Sequence, residues 1–198
     1  MIIALAGRRI DPAGQETARF PSKFSGTVKR MLSDIFLSLH ASTLICSAAD
    51  GTDILALEVA DELKMELKVI LPFHKNKFLQ TSVMKEWHDR FEIIVSKVES
   101  ANQLVITHYE ETDPDVYKKI NTDILTSAIE CFEYKKKNGL VRVESSLRDG
   151  ITAVVAWEGK RKWENDITYH FMCEAKLMDI PILEVNTLGN TSLETQKQ

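Results

Sequence analysis

The residues best suited to chemistry gather in Ser47-Ala48-Ala49-Asp50-Gly51-Thr52-Asp53. This run of small and acidic residues lies between an apolar stretch at 43–46 and a segment of helical spacing, in which Ile54, Leu55, Leu57, Glu58, Ala60, Asp61 and Leu63 recur. A small-residue turn from a buried strand into a helix leaves backbone N–H groups free at the positive end of the helix dipole, where an anion can sit. The plain alternative is a structural connection with Asp50 or Thr52 as its N-cap. Under the first reading, phosphates rest on the N–H groups of Ala49, Gly51 and Thr52, with Ser47 at the turn's entrance. Gly7 permits a close backbone approach, and Arg8 or Arg9 can fork onto a phosphate or carboxylate. Asp53 can accept hydrogen bonds from a ribose diol, Lys75 adds a cation, and Tyr109 or Trp157 can stack on a base. Tyr117 and Asn121, four apart, share a helix face and can reach the same place. Glu58, on the second turn of the helix, is a candidate catalytic carboxylate; an exposed surface glutamate is its plain alternative.

These residues need a scaffold that brings separate loops together. Six short apolar runs, at 2–6, 43–47, 67–71, 104–107, 152–156 and 181–185, alternate with helical patterns at about 22–40, 53–65, 85–99, 114–137 and 166–179. The runs are continuous rather than alternating, as in strands covered on both faces. The expected fold is α/β: a single Rossmann-like, doubly wound domain over 1–185 with a mostly parallel six-stranded sheet, followed by a polar tail at 186–198. Ligands of such sheets bind outside the carboxyl ends of the strands, and the candidate residues fall there. The polar segment 135–150, with Gly139 and Gly150, is the expected irregular stretch.

A net charge of −4 argues against a general nucleic-acid or anionic-membrane surface. The loops that follow the strands are acidic on balance, which suits a small ligand held by a few placed cations better than a polymer. Cys46, Cys131 and Cys173 form no CxxC pair and read as buried free thiols of a cytoplasmic protein. No apolar run approaches the ~18 residues of a membrane span. His74, His88, His108 and His170 lack metal-ligand spacing, so no metal or cofactor is expected. Dinucleotide, P-loop, α/β-hydrolase and zincin fingerprints are absent from the sequence.

Gly51-Thr52-Asp53-Ile54-Leu55-Ala56-Leu57-Glu58-Val59-Ala60 follows a G-x-D-x-x-A-x-x-x-A pattern. Together with Ala6-Gly7-Arg8-Arg9, Val69-Ile70-Leu71-Pro72-Phe73 and Ala153-Val154-Val155-Ala156-Trp157-Glu158-Gly159, it resembles the SLOG superfamily. That superfamily of Rossmann-like domains includes the Lonely-guy phosphoribohydrolases, DNA-processing protein A, and sensor domains of bacterial defence systems and TRPM channels. The resemblance implies a pocket for a small nucleotide or nucleotide-derived signal, in a homo-oligomer that acts on a signalling partner. The alternative is an enzyme that cleaves or transfers an N-glycosidic bond, with Glu58 or Asp53 as its carboxylate. The glutamate of the phosphoribohydrolase motif PGGxGTxxE falls at Leu55, and an apolar residue there favours binding without turnover. The chain lacks the basic stripe and stacking aromatics with which single-stranded DNA is held, so nucleic acid is not the expected partner.

Overall fold

The structure is a computed structural model that describes residues 1–141 and 146–189. Apolar runs form β1 (Ile2–Gly7), β2 (Thr43–Cys46), β3 (Glu66–Leu71), β4 (Leu104–Ile106), β5 (Ile151–Trp157) and β6 (Ile182–Asn186). Every pair is parallel, in the order β4-β3-β2-β1-β5-β6, so the sheet is wholly rather than mostly parallel. All seven residues of β5 are buried, the signature of a strand covered on both faces. The chain steps outward from β1 to β4, then returns to set β5 on the other side of β1. That reversal opens a crevice at the carboxyl ends of β1 and β5.

Successive side chains of a strand face opposite ways, which divides the core in two. Ile3 and Leu5 meet the cluster formed by α1 (Ser25–Ser38), α2 (Thr52–Glu62), α3 (Lys75–Ser82) and α4 (His88–Ser100). Ile2 and Ala4 meet the one formed by α5 (Val116–Lys137), α6 (Leu147–Gly150) and α7 (Ile167–Leu177). In α5 the buried Ile120, Ile124, Ala128 and Phe132 recur every four residues and lay one stripe on the sheet. α2 is wedged between the sheet, α1 and α4, and six of its apolar residues, Leu55 among them, are buried. No helix among the described residues is long and apolar enough to cross a membrane.

Two helices, α3 and α6, fall where the sequence pattern shows none. The polar tail also begins later than its composition suggests. β6 runs to Asn186, and Thr187 is buried with its hydroxyl donating to the Arg19 carbonyl. Gly189 packs so closely on Phe24 that a Cβ there would stand 2.6 Å from the ring. Lys135, Lys136 and Lys137 form the last turn of α5; residues 142–145 of the expected irregular stretch, and 190–198 of the tail, lie outside the described residues. Cys46 is buried, while Cys131 and Cys173 are only half-buried; all three are free thiols.

Candidate functional site

The joint between β1 and α2 is built around Gly51, whose φ of +86° and ψ of −121° strain any residue with a side chain. A Cβ at Gly51 would stand 2.7 Å from the Ile10 nitrogen and 2.8 Å from the Arg8 carbonyl oxygen. That close approach lets Thr52 donate twice to the Arg8 carbonyl, from its N–H at 3.2 Å and its hydroxyl at 2.9 Å. Gly7 reciprocates, since a Cβ on it would meet the Thr52 side chain at 2.6 Å. Asp50 N–H donates to the Ser82 carbonyl and Ala49 N–H to the Asp53 carboxyl. Three of the four N–H groups at 49–52 therefore have acceptors inside the protein, and Gly51 and Thr52 form a locked floor rather than an open cradle.

The two arginines after β1 are also engaged. Arg8 is 5% exposed, and its guanidinium joins Glu158 and Asp166 through bonds of 2.6 Å to each, with a third acceptor in the Lys160 carbonyl. Burial alone would lower its pKa, but the hydrogen bonds to Asp166 and Glu158 outweigh it and raise the value. Asp166 also caps α7 by accepting from Tyr169 N–H, so Arg8 ties β1 to the whole β5–α7 loop. Arg9 pairs bidentately with Asp50, whose Oδ2 accepts from Met84 N–H as well.

A cleft of about 360 Å³ opens beside this joint. The strand ends contribute Gly7, Arg8, Arg9, Ser47, Ala49 and Asp53 to its lining, as the sequence pattern indicates. Asn121 lines it too, with its amide nitrogen 2.8 Å from the Ile167 carbonyl, and Tyr117 faces it in a 2.8 Å hydrogen bond with Ser82. Two lining residues carry no sequence signal of their own. Trp163, half-exposed, comes from the β5–α7 loop, and the Arg19 guanidinium lies 5.5 Å from its ring. Asp53 is 6% exposed; its Oδ2 takes the Ala49 N–H at 3.2 Å, while Oδ1 is buried without a partner. Burial pushes this carboxyl up to about 7, with Asp50 adding to the rise and the Ala49 N–H and Arg9 opposing it.

Other expected site residues lie elsewhere. Glu58 is held at 2.6 and 2.7 Å by Arg90 of α4 and approached by Lys29 of α1, in the helix layer and outside the cleft lining. Lys75 pairs with Glu99. Tyr109 donates to Asp123 beside a separate concavity of about 450 Å³, open to solvent, at the start of α5. Trp157 is enclosed, its indole N–H donating to Glu184 at 2.6 Å. A larger concavity of about 690 Å³, lined by Thr43, Met65, Lys68, Cys131 and Tyr134, opens at the amino end of β2 and β3, opposite the ligand edge of an open sheet. Among the described residues no cluster of His, Cys, Asp and Glu is arranged to hold a metal ion.

Fold and cleft together define a Rossmann-like α/β protein with a ligand-sized crevice at its switch point. Neither protein-family models nor curated protein sequences give a match to the chain.

Proposed function

We propose that the cleft binds a small nucleotide or nucleotide-derived signal, and that the protein works as a sensor whose self-assembly or contact with a signalling partner changes on binding. One observation carries this reading: a half-exposed indole, Trp163, with the Arg19 guanidinium against it, shares one cleft with the buried polar groups Asp53, Ser82 and Asn121 and the half-buried Tyr117. An aromatic face suits a base and a guanidinium suits a phosphate. The cavity is at the lower end of the roughly 300–1,000 Å³ of small-molecule sites, which favours a mononucleotide over a dinucleotide. Anion recognition falls to Arg19, whose Nε lies 4.0 Å from the Asp11 carboxylate, and to the exposed flank of Arg9, because Arg8 is engaged at 2.6 Å by two carboxylates. Membership of the SLOG superfamily belongs to the same proposal and rests on the pattern from Gly51 to Ala60.

A second reading, cleavage or transfer of an N-glycosidic bond, is favoured by the raised pKa of Asp53, the property of a general acid near neutral pH. A thermal-shift screen with AMP, ADP-ribose, NAD and cyclic mono- and dinucleotides, followed by mass spectrometry of each hit, tests both. A stabilising ligand recovered unchanged supports the sensor. Recovery as free base and sugar phosphate supports the enzyme, and no shift with any probe removes the nucleotide reading.

A further inference from the structure

The two oxygens of Asp53 have unequal surroundings: Oδ2 accepts a backbone N–H, whereas Oδ1 is buried, without a partner, in a residue that lines the cleft. The cations nearby are turned elsewhere, Arg9 to Asp50 and Arg8 to Glu158 and Asp166. The groups facing Asp53 are Asp50 in its own turn, the Cys46 thiol of β2, and Arg9 after β1; Arg8, Tyr117 of α5, Arg19 and Asp166 complete the charged and titratable lining of the cleft. A carboxylate oxygen buried with no donor is costly. The positive end of α2 favours the charged form, but the N–H of Thr52 at that end is bonded to the Arg8 carbonyl.

We propose that Asp53 acts as a carboxylic acid whose Oδ1–H is left to donate, so that any ligand group reaching this oxygen is a hydrogen-bond acceptor. A carbonyl oxygen or an unprotonated ring nitrogen fits, and a pair of donating sugar hydroxyls does not. The inference rests on the nucleotide reading for the identity of that acceptor, the edge of a base, and not for the proton itself. Burial, which lifts the carboxyl to about 7, acts in the same direction.

Infrared spectroscopy of the ligand-free chain between pH 5 and pH 9 tests it. The wild type should show a protonated-carboxyl C=O stretch at pH 6 that fades as the pH passes about 7. The isosteric Asp53→Asn variant should lack that band. A wild-type spectrum at pH 6 with no protonated carboxyl overturns the proposal, and needs no variant to do so. With adenosine as probe, wild-type binding should weaken about tenfold per pH unit above 7, whereas the affinity of Asp53→Asn, whatever its level, should not vary with pH over that range. Binding that tightens with rising pH also overturns the proposal. If adenosine and the nucleotide panel all fail to bind while the carboxyl band is present, the nucleotide reading falls and the proton assignment is upheld.

Discussion

Arg9 and Asp50 face each other as a two-pronged ion pair, Nε and Nη2 each 2.9 Å from a carboxylate oxygen, and this pairing leaves Asp53 without a cation three residues on. Three donors converge on Asp50, counting Met84 N–H, against one on Asp53. Two aspartates in one turn thus hold different chemistry: one fastens the turn to α3 and the first loop, the other keeps a buried oxygen without a partner.

Stability should carry the mark of that difference. The folded-state pKa of Asp53 is raised, so the native chain holds this proton more tightly than the unfolded chain does. The contribution is full below the unfolded value and is lost as pH rises towards about 7. A shift of this size corresponds to a few kcal/mol, at ~1.4 kcal/mol per unit. Relative to the wild type, Asp53→Asn should melt higher at pH 8 than at pH 5. An offset between the two proteins that stays constant with pH would count against a buried, proton-holding Asp53.

Removing the Arg8 side chain should damage the fold and not only the cleft. Arg8→Ala leaves Glu158 and Asp166 buried without their cation, a loss of about 3–5 kcal/mol. Urea denaturation should show it, along with faster tryptic cleavage after Arg161 and Lys162 in the loop that Arg8 holds. A cost below ~1 kcal/mol is incompatible with the geometry described.

Gly51→Ala combines a left-handed φ with a clash against the backbone of the first loop, and should cost at least about 2 kcal/mol. Denaturant midpoints measure this directly. Full stability in the variant would mean that the first loop can part from α2.

Trp163 and Glu58 make opposite predictions. Trp163→Ala removes a half-exposed ring, so it should leave the melting temperature of the free protein nearly unchanged and abolish the shift caused by a ligand. Glu58→Gln weakens a helix-layer ion pair worth roughly 0–1 kcal/mol and should leave ligand response, and any turnover, intact. Lost turnover in Glu58→Gln would return that glutamate to the mechanism.

The inner strands β1, β2 and β5 were legible because burial on both faces writes an unbroken apolar run, and the half-exposed edge strands β4 and β6 because a short apolar run follows a helical pattern. α3 was not, because Lys75-Asn76-Lys77-Phe78-Leu79-Gln80-Thr81-Ser82 has a single buried apolar anchor, Phe78, and is held by stacking on Phe91. Arg8 was placed at the right edge, but its partners lie 150 and 158 positions away, beyond any local pattern. The two tryptophans near the fifth loop exchanged places for a simple reason. β5 continues one residue past the expected end, so Trp157 takes an inward position of the strand, and the ring available to the cleft is Trp163. Glu58 had the right helix and the wrong side: its face is turned to Arg90 and Lys29.

The hydroxyl of Thr187 on the Arg19 carbonyl gives the cleft a remote handle. The last strand is on the far side of the switch point from β2, yet its exit residues grip the segment that carries Arg19 and, through Gly189, the residue that opens α1. Residues 187–189 thus bear from outside on the segment that supplies an arginine of the cleft wall, a mechanical link between the last strand and the crevice.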